Sequence, residues 1–229
     1  MNHRVIVNVA IGGHYPELQA RLRKACAEHC NDADMWFLSS LPDGCQPHAA
    51  HQYAFKLDVM KQAIDRGYRS VLWMDCTFIP IASIDAVWDA IERDGWYIPR
   101  QGAAALGNWT SDQALGEFGI GRDAAMNIQL CYSGLVGLDM SSATGNMIWK
   151  GWSGLSHTFN GPHRNDPGQP IAEWGNKFSG HASYDDRVEG HRHDESALSF
   201  VLHDLGLMPR SFGFLTVESP TGVIGRNFA

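Results

Sequence analysis

An uncharged run, Val71-Leu72-Trp73-Met74, ends in a carboxylate at Asp75, and this stretch constrains the fold more than any other. Its residues are β-branched, aromatic or long and apolar, and Gly67 stops the helical pattern before it. The run therefore predicts a strand buried on both faces, which belongs to an α/β sheet. Asp75 then lies at the C-terminal end of that strand, the edge where open α/β sheets form their ligand crevices. A carboxylate in this place either caps the next turn or holds a cation.

The flanking pattern supports that class. Val5 to Ile11 predicts a first strand, Gly12-Gly13-His14-Tyr15-Pro16 breaks it, and a helix follows from about Pro16 to His29 with Leu18, Leu22 and Cys26 at helical spacing. Asp34 to Ser39 predicts a second strand. The stretch from about His51 to Arg66 predicts a helix with Tyr53, Leu57, Met60 and Ile64 on its inward face. Lys56 lies beside that stripe, either as a solvated or snorkelling lysine or as a ligand contact. After Asp75, Ser83 is placed to cap a helix carrying Ile84, Val87, Trp88 and Ile91, and Trp96-Tyr97-Ile98 predicts a fourth strand. Alternation of this kind implies a mostly parallel sheet with right-handed crossovers, and 229 residues suit one domain. The turn at Gly12-Gly13 lacks GxGxxG, which weighs against a Rossmann dinucleotide site.

Beyond residue 100 the texture changes. Gln101 to Met126 is glycine-rich and predicts a loop or lid with one short helix near Ser111 to Phe118. Asn127 to Asp139 restores strand character, and Ser141 to His157 predicts a helix anchored by Met147, Ile148 and Trp152. Asn160 to Arg192 gathers His163, His181, Asp185, Asp186 and His191 in an aperiodic connection, read either as a solvated loop or as a bearer of ligands. Asp194 and Glu195 then open a helix whose stripe is Leu198, Val201, Leu202 and Leu205, a position where acids also favour a helix N-terminus. Phe212 to Val217 predicts a last strand.

Composition narrows the function classes. The net charge of −7, with no block of Lys or Arg, weighs against salt-driven binding to duplex nucleic acid. Five cysteines without a CxxC pair are expected as reduced thiols of an intracellular, cytoplasmic protein. No stretch approaches the ~18 apolar residues of a membrane span.

Two segments carry a resemblance. Tyr53 to Ile64, then Gly67-Tyr68, then Val71 to Asp75 resembles the centre of GT-A type nucleotide-sugar glycosyltransferases, where a helix with an early Lys leads into a buried strand ending in Asp-x-Asp. Here Asp75-Cys76-Thr77 keeps the first acid and has Thr in place of the second. Asp194-Glu195-Ser196-Ala197-Leu198 is similar to the Asp-Gln/Glu-x-Ala-Leu segment of the same family.

The resemblance implies a single GT-A like α/β domain, with residues 1–100 as the nucleotide-binding half and 101–229 as the acceptor side with long loops at 101–126 and 160–192. It implies donor contacts from Ile11, Gly12, Gly13, Tyr15, Lys56, Asp75, Thr77, Ser133 and Gly134, with Asp194 as a catalytic base. Mn²⁺ or Mg²⁺ is expected at Asp75, with His193 or His191 supplying a ligand for the acid missing at Thr77. Without a metal, Lys56, Arg100 or Arg122 would have to carry the diphosphate charge. The implied partners are a nucleotide sugar and a hydroxyl acceptor on a glycan, a protein or a modified nucleobase, with Trp109, Trp149, Trp152 and Trp174 available for stacking. Two other functions stay open. A sugar nucleotidyltransferase is one, against which the short Gly12-Gly13 loop speaks. A non-catalytic nucleotide- or carbohydrate-binding domain is the other, favoured by Thr77.

Overall fold

The computed structural model describes residues 3–166, 168, 180–211, 215–219 and 222–224. Strand β1 (Arg4–Val9) leads through the glycine turn into helix α1 (Tyr15–His29), strand β2 (Asp34–Leu38), helix α2 (Ala54–Asp65) and strand β3 (Ser70–Met74). Strand β4 (Phe78–Pro80), helix α3 (Asp85–Asp94), strand β5 (Trp96–Tyr97) and strand β6 (Arg100–Ala105) come next. Two short helices, α4 (Asp112–Phe118) and α5 (Arg122–Ala125), precede strands β7 (Gln129–Cys131) and β8 (Leu135–Asp139). Helix α6 (Ala143–Gly154), helix α7 (His193–Asp204) and strands β9 (Leu215–Ser219) and β10 (Gly222–Ile224) complete the order.

The central sheet has the order β2-β1-β3-β8-β5. β1 is parallel to both β2 and β3, whereas β8 runs against β3 and β5, so four of the five strands point the same way. The alternation of strand faces builds two cores. Val5, Val7, Val71 and Trp73 face α2, α6 and α7, while Ile6, Leu72 and Met74 face α1 and α3. Each such side chain, fully buried, is worth about 1.5–3 kcal/mol relative to exposure. Every residue of β3 is buried, as the uncharged run requires.

Local chemistry fixes several boundaries. Ser111 and Ser142 accept from the backbone N–H of Ala114 and Gly145 and so cap α4 and α6. Ser83 accepts from the Asp85 N–H, but Ile84 holds the cap position of α3. Several elements differ from the sequence reading, among them α5 and β4, which were not expected. Strand β6 forms by pairing with β7, although Gln101 to Ala105 within it was expected as loop. The single strand expected over 127–139 divides into β7 and β8 at Tyr132-Ser133-Gly134, where Tyr132 N–H donates to the Pro99 carbonyl at 2.7 Å and Asp75 N–H to the Gly134 carbonyl at 2.8 Å. That break brings the 132–134 turn onto the end of β3.

Candidate active site

A cavity of about 460 Å³ opens at the C-terminal ends of β1, β2 and β3. This is the crevice that a parallel sheet leaves beyond its strand ends. Ile11, Tyr15, Lys56, Asp75 and Thr77, all expected from the sequence, line it together. Its remaining wall is largely apolar and includes Leu41, Pro47, Tyr53, Phe55 and Trp73. Gly12 and Gly13 take φ of 71° and 53°, the left-handed region that favours glycine, and turn the chain out of β1 beside the cavity mouth.

Lys56 is the centre of the site. It is 2% exposed, so the solvated or snorkelling position does not hold. Its Nζ lies 3.0 Å from Asp194 Oδ2 and 3.6 Å from Asp75 Oδ1, and it donates to the Ser133 carbonyl at 3.3 Å. The rings of Tyr53 and Trp73 stand 5.1 and 5.6 Å from the ammonium, within cation-π range. Burial pulls the Lys56 ammonium down, but the Asp194 and Asp75 carboxylates outweigh it and leave it above the ordinary lysine value. The lysine is therefore charged.

Asp75 keeps 32% of its side chain open to the cavity, and its Oδ1 accepts from Trp73 Nε1–H at 2.7 Å. Burial raises the carboxyl above the usual aspartate value, against the opposing pull of Lys56 and Trp73. Gly134 packs against it so closely that a Cβ would lie 2.9 Å from Asp75 Oδ2 and closer still to the Phe78 ring. Ser133 and Gly134 thus support Asp75 and Lys56 from behind without lining the cavity. Asp194, 2% exposed, is likewise set behind Lys56, and its backbone carbonyl accepts from Trp152 Nε1–H at 3.0 Å.

Tyr53 and His193 frame this cluster in an unusual way. Among the described residues they are the two non-glycine residues with positive φ, 58° and 52°, and their rings stack on each other at 5.1 Å. Tyr53 caps α2, which carries Lys56, and His193 opens α7, which carries Asp194. Such backbone costs on the order of 1–3 kcal/mol per residue and clusters at functional sites.

Glu195 was not singled out as a site residue from the sequence. It is buried, its Oε1 accepts no hydrogen bond, and burial, partly offset by Arg192, pushes its carboxyl up to about 8. It carries its proton at neutral pH and can donate a hydrogen bond. Its position directly after Asp194 was the available signal, obscured because two acids opening a helix are explained by the helix dipole.

The expected metal ligands do not come together. His191 is fully buried with both ring nitrogens engaged, Nδ1 by the Ser111 N–H at 3.3 Å and Nε2 by the Thr158 carbonyl at 2.8 Å. His193 Nδ1 is engaged by the Phe159 carbonyl at 2.8 Å, and its ring lies in a stack with His163 and Tyr53. Among the described residues no three His, Cys, Asp or Glu side chains form a group that could hold a cation. Among the described residues the expected ligands do not fit a divalent ion, and the group beside Asp75 is the Lys56 ammonium at 3.6 Å.

The remaining expected residues lie elsewhere. Arg122 is spent on the Gly107 and Thr110 carbonyls and on Asp112, and Arg100 is exposed on β6. Trp152 is core, Trp109 is covered by the Arg192 guanidinium at 4.1 Å, and Trp149 packs against the core. Trp174 lies outside the described residues. The tryptophan that faces the cavity is Trp73.

No protein-family model matches this chain, and no curated protein matches it. Solved structures that resemble it include glycosyltransferases. One, described as involved in the glycosylation of the major capsid of PBCV-1, is 12% identical, with 64% of this chain and 65% of that chain covered and a TM-score of 0.38. An active-site mutant of LgtC is 12% identical over 66% of this chain and 64% of that one, with a TM-score of 0.37. Mouse xyloside xylosyltransferase 1 in its apo form is 10% identical over 91% and 84%, with a TM-score of 0.48. The chain spans just under two thirds of the length of the first two. Among the described residues no helix is long and apolar enough to cross a membrane.

Proposed function

We propose that this chain transfers a glycosyl group from a nucleoside diphosphate sugar to a hydroxyl acceptor. The observation that carries the reading is the charged Lys56, held between Asp75 and Asp194 on the wall of an aromatic-lined cavity at the C-terminal edge of the parallel strands. Glycosyl transfer leaves a diphosphate whose charge must be met by a fixed cation in a water-poor site, and Lys56 supplies one. Tyr15, Tyr53, Phe55 and Trp73 offer flat apolar surface for a base or a sugar ring. The Gly12-Gly13 turn gives backbone access from β1. Asp194 orients Lys56, and its role as base requires an acceptor hydroxyl that reaches a carboxylate nearly closed to solvent.

A second reading, a binding domain without catalysis, is favoured by the same ion cluster. Lys56 compensates Asp75, and Thr77 brings a neutral hydroxyl where the resembled motif has an acid. Chromatographic detection of nucleoside diphosphate released from UDP-, GDP- and CDP-sugars, with and without a glycan acceptor mixture, separates the two. Release from one donor, lost in Lys56→Met, is the expected result. Donor binding without release would replace the transferase by the binding domain.

A further inference from the structure

The metal expected at Asp75 and the lysine found there compete for the same place. A divalent ion needs several oxygen ligands around it, and the oxygens available at this end of the sheet already surround an ammonium. Lys56 Nζ has Asp194 Oδ2 at 3.0 Å, Asp75 Oδ1 at 3.6 Å and the Ser133 carbonyl at 3.3 Å, with aromatic faces at 5.1 and 5.6 Å closing the remaining sides. The Ser133 carbonyl takes a hydrogen bond from the ammonium, and the two carboxylate oxygens face it as ion-pair partners. Asp75 Oδ1 also takes the Trp73 indole N–H at 2.7 Å. The shell is part of the fold: α2 brings Lys56, β3 brings Asp75, α7 brings Asp194 and the turn between β7 and β8 brings Ser133. Of the two histidines expected as ligands, His191 is committed elsewhere through both ring nitrogens, and among the described residues His193 joins no group that could hold a cation.

We infer that Lys56 is the built-in cation of this site: it occupies the place a divalent ion would take between Asp75 and Asp194, and the chain binds a nucleoside diphosphate without metal. The inference deepens the proposed donor site and rests on it for the identity of the ligand. Its other half concerns the carboxylates alone. Removing the ammonium leaves Asp75 and Asp194 facing one another across an emptied position, which a hard divalent cation then fills.

Mn²⁺ tests both halves without any assay of turnover. The electron paramagnetic resonance signal of aqueous Mn²⁺ is followed as wild-type protein, Lys56→Met and Lys56→Met/Asp75→Asn are added. In parallel, UDP, GDP and CDP are titrated calorimetrically into wild-type protein in EDTA and in Mn²⁺. The wild type changes the Mn²⁺ signal no further than buffer does, or than nucleotide does in the absence of protein, and it binds its nucleotide in EDTA at least as tightly as in Mn²⁺. Lys56→Met quenches the signal and rises in melting temperature with Mn²⁺, and Asp75→Asn in that background abolishes both effects. Lys56→Gln, which keeps a donor toward the carboxylates, stands in if Lys56→Met does not fold. Quenching by the wild type, alone or with nucleotide, that is lost in Asp75→Asn overturns the inference. So does a folded Lys56 variant that leaves Mn²⁺ untouched. If no nucleotide binds while the Mn²⁺ results stand, the donor-site reading fails and the lysine's place as resident cation remains.

Discussion

The two edges of the parallel strands carry charge in opposite ways. At the N-terminal edge Arg4 on β1 makes a two-bond fork with Glu92 of α3 at 2.7 and 2.9 Å, and Arg69 makes another with Asp139 at 3.2 and 3.1 Å. Water reaches at least one partner of each of these two pairs. At the C-terminal edge one buried ammonium faces two carboxylates, and a third acid, Glu195, is buried with an unpartnered oxygen. Asp194 Oδ2 is close to Lys56 but accepts no well-aligned hydrogen bond. Paired, solvent-touched charges close a structure. Unequal, buried charges beside a cavity are costly to keep and are the pattern expected of a ligand site.

The largest contrast lies in deleting one cation from each edge. Lys56→Met leaves two carboxylates in a buried cluster and is expected to cost about 3–5 kcal/mol by chemical denaturation. Adding Asp194→Asn recovers part of that loss, because one stranded charge is removed; no recovery would mean that the three residues do not act as a unit. Gly134→Ala comes next. The new methyl meets Phe78 and Asp75, so an overpacking cost of about 1–3 kcal/mol is expected together with weaker nucleotide binding, whereas an unchanged melting temperature would place Gly134 further from Asp75 than described.

The pH dependence sharpens the contrast because the two edges slope oppositely. Glu195, raised from an ordinary 4.5 to about 8, keeps a proton that the unfolded chain releases. Its contribution is fully present below 4.5 and is lost as pH rises toward 8. Glu92 is lowered from 4.5 to about 2 by Arg4 and, less strongly, by His3. Its contribution is present above 4.5 and is lost as pH falls through about 2. Denaturation followed across pH should therefore lose its falling limb between 5 and 8 in Glu195→Gln, a window set by those values, and keep it in Glu92→Gln. The smallest effect is expected for Glu92→Ala itself, at most about 1 kcal/mol for a partly exposed pair, with nucleotide binding unaffected.

Much of the frame was legible in the chain. Uncharged β3 ending in Asp75, the periodic stripes of α1 to α3 and the apolar stripe after Asp194 are local patterns, and local patterns are what a sequence displays. Arg100–Ala105 was not legible as a strand, since Arg-Gln-Gly-Ala-Ala-Ala lacks β-branched residues and its conformation comes from pairing with β7. The polar 160–192 connection read equally as solvated loop, yet His181, Ser183 and His191 within it are buried against the rest of the fold. The site was half legible. Residues at strand ends were found, while the burial of Lys56 depends on Asp194, 138 positions away, and the left-handed stacking of Tyr53 on His193 on two helix starts far apart in sequence. Those contacts are set by topology, which no short window contains.

One titration bears most directly on the central claim, that the C-terminal edge is a nucleotide site built on Lys56. UDP, GDP and CDP are titrated calorimetrically, in EDTA, into wild-type protein and into Trp73→Phe, which keeps an aromatic ring and removes the indole N–H bound to Asp75. One nucleotide is expected to bind the wild type and to bind measurably more weakly to Trp73→Phe. Absence of binding by all three at millimolar concentration, or equal binding to both proteins, would contradict that claim.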